Sequence, residues 1–336
     1  MKTRTKVAII VFIFIAVGLY CVMSFVPKIA DLAEKTEIIE YKEFKVMDEV
    51  TAVIVRTETL FLAARSGGSE PLSPEGTKVR TGIRVYNINE AVPVATSEET
   101  EGAEKPFADI LAAAGDGALM SEGGVVPVTA IVSYFADGYE KRITPENISE
   151  LTKEMAASLP EEGKSLTRGT VSTGEPIYKL TDNNVWYMAY WIPKKGVNTS
   201  NYEEGKAVTV DLGTTRVSAT IIEIKEAGAD NFIVLKSDMY YKDLPKYRTQ
   251  KVKVIFEEYE GAVVGSKAVV MEHGADGVYV KQQNGTFKWI PVQVIKENDG
   301  RCLIKEGKFY DAEDGKEVIS IRIYDEVLSD PRAEGY

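Results

Sequence analysis

An uninterrupted apolar run, VAIIVFIFIAVGLYCVMSFVP, extends from Val7 to Pro27. At about 1.5 Å rise per residue, a helix of this length spans roughly 30 Å, the thickness of a bilayer's hydrocarbon core. The preceding MKTRTK carries three basic residues and no acidic one, so the positive-inside rule places residues 1–6 in the cytoplasm. The sequence therefore predicts a single-pass protein of the cell membrane, with a transmembrane helix over residues 7–27 in the lipid bilayer and residues 28–336 extracytoplasmic.

Two other interpretations of this run are a cleaved signal peptide and a lipoprotein signal. The run is longer than the roughly 7–15 apolar residues of a signal-peptide core, and no A-x-A site follows it. Lipoprotein processing at Cys21 requires a small residue before the cysteine, whereas Tyr20 is bulky. We therefore expect an uncleaved anchor.

Charge and composition narrow the classes of function. The formal net charge is −11, which does not favour nucleic acid as a partner. Two cysteines and one histidine are too few for a zinc ribbon or a disulfide scaffold, and they do not favour a Cys/His nucleophile pair. We predict a protein that is not an enzyme and has no catalytic, cofactor-binding or metal-binding residue.

Beyond the anchor, the sequence predicts a mainly β protein. Short stretches rich in Val, Ile, Thr and aromatic residues recur at about 8–12 residue spacing, a pattern of barrels and sandwiches. Asp137-Gly138 and Asn284-Gly285 are tight-turn signals, the second inside a hairpin. Residues 89–124 interrupt this pattern with an Ala-, Glu- and Gly-rich segment and one helix over about residues 104–114. Thr144-Pro145-Glu146 predicts the capped start of another short helix.

Two groups of strands have a similar arrangement. DEVTAVIVRTETLFLAARSGG with EGTKVRTGIRVYNI, within residues 48–88, and VTAIVSYFADGYE with GTVSTGEPIYKLTDNNVWYMAYWI, within residues 128–192, each contain a strand, two Gly turns and a closing strand. This order resembles the split lipoyl-like barrel-sandwich hybrid of the HlyD-type membrane fusion proteins, or periplasmic adaptor subunits. EEGKAVTVDLGTTRVSATIIEI and SKAVVMEHGADGVYVKQQNGTFKWIPVQVI are similar to the β-barrel and the membrane-proximal segment of that RND-related family.

The resemblance implies an order of parts along the chain. After the cytoplasmic N-terminus and the transmembrane helix come, in turn, a linker with the first strand (28–47), the first half of the lipoyl-like sandwich (48–88), a short insertion in place of the family's coiled-coil hairpin (89–124), the second half of the sandwich (125–192), a β-barrel (193–261) and a membrane-proximal β segment (262–336).

The function that the resemblance implies is that of an adaptor subunit of an efflux or secretion system, acting by protein–protein assembly. Its partners would be an inner-membrane transporter or other envelope proteins and further copies of itself. The alternative is a non-transport envelope scaffold associated with cell division or wall organisation, because the short insertion lacks the heptads of a docking hairpin.

Several residues admit both a functional and a structural interpretation, and the structural one is favoured for each. The Asp137-Gly138 turn would shape the backbone while Tyr134 and Tyr139 pack against the strands near residues 53–62; the rival is an aromatic patch for a partner. His273 is expected in a solvated turn and Cys302 in a buried strand. The YMAYW run, Tyr187–Trp191, is expected to be a core strand rather than a ligand platform. Three acid pairs are expected to be solvated charges rather than glycosidase carboxylates: Glu161-Glu162, Glu203-Glu204 and Glu257-Glu258.

Overall fold

The computed structural model describes residues 35–89, 107–182, 184–195, 199–272, 274–310 and 315–332, together with Gly335. This part of the protein is mainly β, as predicted, and it divides into two compact units. One unit is Met47–Glu257, and the other combines the described residues up to Val46 with those from Glu258 onwards. The predicted anchor, residues 7–27, lies outside the described residues; within them, no helix has the length and apolar character needed to span a bilayer.

The first unit contains a β-sandwich around an apolar core. Its five-stranded sheet has the order β5-β8-β12-β3-β7 and its three-stranded sheet the order β11-β4-β6, while β9 and β10 pair separately. The strands are β3 (Glu58–Ala63), β4 (Gly67–Pro71), β5 (Lys78–Val79), β6 (Tyr86–Asn89), β7 (Leu119–Ser121), β8 (Ala130–Ser133), β9 (Phe135–Ala136), β10 (Lys164–Ser165), β11 (Thr170–Val171) and β12 (Pro176–Thr181).

The two groups of strands predicted from the sequence interleave in this sandwich. β12 from the second group pairs with β3 from the first, β8 pairs with β5, and β11 pairs with β4, all antiparallel. The sandwich core accordingly draws on both groups, and its largest members include Phe61, Tyr86, Tyr134 and Tyr178. Because neither group can complete a sheet alone, the sandwich forms only when residues on both sides of the insertion come together.

A six-stranded barrel completes the first unit. Its strands are β2 (Glu40–Val55), β13 (Trp186–Pro193), β14 (Ala207–Asp211), β15 (Arg216–Ala227), β16 (Asp230–Ser237) and β17 (Thr249–Gly265). The order is β14-β15-β16-β13-β2-β17, and β14 also pairs with β17, which closes the ring. The boundaries between the two units fall within β2 and β17.

The YMAYW run lies in β13 and is a core strand, as predicted. Met188, Ala189 and Tyr190 are fully buried. Successive side chains of a strand point to opposite faces, and Ala189 belongs to a cluster with Val53 and Val234. Met188 and Tyr190 therefore face the other side of the barrel wall. Alternation between two apolar environments explains why every position of this run is apolar or aromatic.

Among its described residues, this unit contains two short α-helices: α1 (Ala108–Ala114) and α2 (Lys153–Ser158). The predicted helix over about residues 104–114 is thus present from Ala108, and residues 104–106 lie outside the described part. The segment after Thr144 departs from the prediction, because Pro145–Glu150 is a 3₁₀ helix without a side-chain cap. The cap belongs instead to α2, where the Thr152 hydroxyl accepts a hydrogen bond from the Met155 amide.

The second unit has its own sheet and core. Its main sheet has the order β1-β25-β19-β18 with β20 on β19, and the predicted Asn284-Gly285 turn joins β19 to β20. Its core contains Val264, Val280, Cys302 and Val327. The strands are β1 (Thr36–Ile38), β18 (Val270–Glu272), β19 (Ala275–Lys281), β20 (Phe287–Pro291), β21 (Val294–Asn298), β22 (Arg301–Ile304), β23 (Lys308–Tyr310), β24 (Glu317–Ile319) and β25 (Glu326–Leu328).

Candidate functional site

An apolar groove opens on the surface of the sandwich. Two adjoining cavities of about 430 and 490 Å³ share Phe61, Leu119 and Pro127 in their walls. Several large apolar side chains in their walls are about half exposed: Leu119, Met120, Val125 and Val128. Clustered exposed apolar groups of this kind are typical of interaction surfaces in soluble domains.

The edge of the five-stranded sheet adds backbone groups to this surface. β7 is the last strand of the sheet and pairs in parallel with β3. In the described part of the chain, no strand covers its other edge. An open edge presents unpaired N–H and C=O groups that another strand can pair with. The groove and the β7 edge together offer both apolar and hydrogen-bonding contacts.

A second feature of the first unit is a fully buried cluster of charged side chains. It contains three cations and three carboxylates, so that the formal charges balance. We call this cluster the ionic junction; its members are Arg56, Glu58, Asp137, Glu140, Lys179 and Arg248.

Glu58 lies at the centre of the ionic junction. Its Oε1 atom is 2.9 Å from Arg56 Nε and 2.7 Å from Lys179 Nζ, and its Oε2 atom is 2.5 Å from Arg248 Nη2. Arg248 also donates to Asp137 through Nε at 2.8 Å. Lys179 Nζ lies 3.6 Å from the Glu140 carboxylate. Each carboxylate thus faces at least one cation, which is the condition under which charges remain ionised away from water.

The pKa values of these groups reflect the balance between burial and neighbouring charge. Burial alone would raise the pKa of Glu58, but the charges of Arg56, Lys179 and Arg248 outweigh it and hold that pKa far below its ordinary value. The pKa of Asp137 is likewise lowered, because Arg248 and Lys179 together outweigh its burial. Burial acts to lower the pKa of Arg248, yet the carboxylates of Glu58 and Asp137 raise it overall. Glu58, Asp137 and Arg248 are consequently ionised at neutral pH.

The Asp137-Gly138 turn shows both a confirmed prediction and a missed one. Gly138 has φ of +82°, the left-handed geometry that favours glycine, and Tyr134 is buried beside Tyr86, with ring centroids 6.3 Å apart. Tyr139 was expected to pack against the strands near residues 53–62 of the other half of the sandwich. The contact with this stretch is present at Val53, but Val53 lies on a barrel strand. Tyr139 therefore packs against the barrel cluster of Val53, Ala189 and Val234 rather than within the sandwich core.

The other candidate residues have structural surroundings where they are described. Cys302 is buried in β22 as predicted, with Sγ 3.5 Å from the Ser266 hydroxyl. His273 lies outside the described residues. Of the acid pairs, Glu162 forms an ion pair with Lys246 at 3.1 Å, Glu204 accepts a hydrogen bond from the Ile224 amide, and Glu258 lies 3.2 Å from Lys45. In the described part of the chain, no group of three His, Cys, Asp or Glu side chains could hold a metal ion.

The ionic junction was not predicted, although the amino-acid sequence contains a signal of it. Lys179 interrupts the strand PIYKLT, in which all six residues are buried. Glu58 similarly opens the apolar strand ETLFLA. A charge inside an otherwise apolar strand requires a buried partner, but only the folded chain shows that these two charges are partners of each other.

Comparison with known families relates the barrel to one domain type. Residues 186–258 match the model of the RND-related β-barrel domain. For the part of the sequence that it covers, this match confirms the resemblance to the membrane fusion protein family. The matched range begins with β13 and ends within β17. A comparison with curated protein sequences found no match.

Solved structures with some likeness to the chain were also found. ZneB from Cupriavidus metallidurans has a TM-score of 0.25 at 10% identity, covering 88% of this chain and 92% of ZneB. MacA from Actinobacillus actinomycetemcomitans has a TM-score of 0.34 at 11% identity, covering 87% of this chain and 98% of MacA. The membrane fusion protein Spr0693 from Streptococcus pneumoniae R6 has a TM-score of 0.26 at 10% identity, covering 61% of this chain and 99% of that protein. At these TM-scores the likenesses carry no argument about the chain.

Proposed function

We propose that the protein is a membrane-anchored adaptor subunit of an efflux or secretion system, and that it acts by assembly rather than by chemistry. The observation that carries the proposal is the match of residues 186–258 to the RND-related β-barrel domain. The interleaved sandwich supports it, because a sandwich assembled from two separated groups of strands is the arrangement that the family resemblance implies.

In this proposal each part of the chain has a role. Residues 7–27 anchor the protein in the inner membrane, and residues 262–336 form a membrane-proximal segment. The two halves of the lipoyl-like sandwich were expected over residues 48–88 and 125–192 and the barrel over residues 193–261, but β2 and β13 belong to the barrel, so the sandwich begins at Glu58 and ends at Thr181. The extracytoplasmic part forms a homo-oligomer and contacts a transporter. Such a role requires interfaces and no catalytic group.

One observation favours the alternative, a non-transport envelope scaffold. Only residues 90–118 separate β6 from β7, and the described part of that segment contains α1. Ile110 and Ala114 of α1 are buried in a cluster with Leu60 and Leu166, so α1 lies on the sandwich. An adaptor that reaches a distant channel needs a projecting hairpin, whereas a scaffold does not.

A site-specific crosslinking experiment separates the two functions. A photoreactive amino acid replaces Met120 at the groove in the full-length, C-terminally tagged protein, and native membranes are irradiated before purification and mass spectrometry. The matched control carries the same group at Lys225, which is exposed on β15. Capture of a transporter subunit from position 120 but not from position 225 supports the adaptor role. Capture of division or wall-synthesis proteins alone supports the scaffold and contradicts the transport role.

A further inference from the structure

The sandwich and the barrel have separate apolar cores. In the described part of the chain, every member of the sandwich core lies between Phe61 and Leu180. Val53, Ala189 and Val234 of the barrel strands pack instead with Ile143 and Leu151, on the segment that follows the Asp137-Gly138 turn. These two clusters therefore stabilise the sandwich and the barrel separately, and the contacts at the ionic junction between the two bodies are polar.

Four chain segments pass between the two bodies, and each takes part in polar contacts at the ionic junction or beside it. The first contains Arg56 and Glu58, and the second contains Asp137 and Glu140. In the third, the Gly163 amide donates to the Lys246 carbonyl at 3.1 Å. The fourth segment follows β12, the strand that contains Lys179. It begins at Asp182, and the Asp182 amide donates to the Thr57 carbonyl at 2.9 Å.

Residues 245–248, just before β17, connect these segments. Arg56 donates to the carbonyl oxygens of Tyr247 at 2.6 Å and Pro245 at 3.1 Å. The Arg248 amide donates to the Glu161 carbonyl at 2.8 Å, and the Arg248 side chain binds Glu58 and Asp137. A single stretch of barrel backbone is thus held by charged groups from the sandwich side.

We propose that the ionic junction is a latch that makes the sandwich and the barrel move as one body, and that the charge of Glu58 keeps it closed. Without that charge, three buried cations face two carboxylates. A buried charge without a counter-charge is costly, and opening the junction to water relieves the cost. The separate apolar cores allow the two bodies to part there without either of them unfolding.

Hydrogen exchange measured by mass spectrometry on the full-length protein tests this latch. The variant is E58Q, which keeps the shape of the side chain and removes its charge. The reporters are the amides of Gly163, Asp182 and Arg248, whose hydrogen bonds lie at the junction. We expect these amides to exchange at least about tenfold faster in E58Q, and their exchange to increase by a larger factor than that of the strands of both cores. The matched control is E175Q, because Glu175 pairs with Arg168 at 3.0 Å within the sandwich.

A second variant makes the test specific for charge balance. In E58Q/K179Q two cations again face two carboxylates, so we expect slower exchange at the three reporter amides than in E58Q alone. Equal exchange in E58Q and in the wild type would overturn the proposal, and so would faster exchange spread uniformly over both cores. If E58Q does not fold, E140Q replaces it, because Glu140 lies at the margin of the junction, 3.6 Å from Lys179. The same two outcomes would then overturn the latch.

Discussion

Arg248 Nη2 lies 2.5 Å from Glu58 Oε2, although 190 positions separate the two residues in the sequence. Both side chains are fully buried, and the contact joins the end of a barrel connection to the first strand of the sandwich. A contact of this kind forms only when the two bodies are already close to their final arrangement. The contact between Arg248 and Glu58 therefore determines how the sandwich and the barrel are arranged more than it drives their folding.

Removal of Arg248 is expected to be strongly destabilising. In R248M, Glu58 and Asp137 lose a buried partner, and breaking a buried ion pair from one side costs about 3–5 kcal/mol of unfolding free energy. Denaturation by urea, followed by far-UV circular dichroism, measures this loss. The control K194M removes an exposed ion pair with Glu226 and should leave the midpoint unchanged. A loss below about 1 kcal/mol in R248M would mean that water screens the junction.

The junction also predicts a dependence of stability on acidity. The pKa values of Glu58 and Asp137 are lowered in the folded protein, so their stabilisation is fully present above the pKa of an unfolded carboxyl, about 4, and is lost as the pH falls through the folded values. The difference in unfolding free energy between the wild type and E58Q should consequently be largest near neutral pH and should shrink below about pH 4. Urea midpoints at several pH values measure it. Burial raises the pKa of Glu75, but this carboxyl is common to both proteins.

A constant difference across that range would contradict the assignment of an ionised Glu58. It would mean that the glutamine variant is weakened by its shape or hydrogen bonding alone.

The main features of the fold could be predicted from the sequence where local pattern decides them. The apolar character of the YMAYW run and the glycine turn at Asn284-Gly285 are local, and the structure contains both a core strand and a hairpin turn there. The ionic junction could not be predicted, because its partners come from four distant segments. The contact of Tyr139 with a barrel strand rather than a sandwich strand could not be predicted for a related reason. The turn before it is evident in the sequence, whereas Arg248, which binds the Asp137 side chain, is distant in the sequence.

Tyr134 provides a prediction at alkaline pH. Its hydroxyl donates to the carbonyl oxygens of Ser73 and Val85, and burial raises its pKa to about 12. A raised folded pKa stabilises the protein below the unfolded value, about 10, and this contribution is lost as the pH rises from there through the folded value. Y134F should cost about 1–3 kcal/mol at pH 8, and its difference from the wild type should shrink towards pH 12. Urea midpoints at pH 8, 10 and 11.5 check this, with the exposed Tyr310 replaced in Y310F as a control that should show no such trend.

Gly76 offers a steric test of the contact between sandwich and barrel. Its φ is +71°, and a Cβ added there would overlap the Lys242 carbonyl oxygen, while its own carbonyl accepts a hydrogen bond from the Tyr240 hydroxyl at 2.6 Å. Gly82 is the matched control, because it has a similar φ of +85° and nothing within 4 Å of an added Cβ. G82A should cost about 1–2 kcal/mol for the left-handed backbone alone, and G76A about 1–3 kcal/mol more because of the overlap. Urea unfolding of both variants measures the difference. Equal losses of unfolding free energy in G76A and G82A would mean that the connection carrying Lys242 moves aside freely. This result would contradict a tightly held contact between Gly76 and that connection.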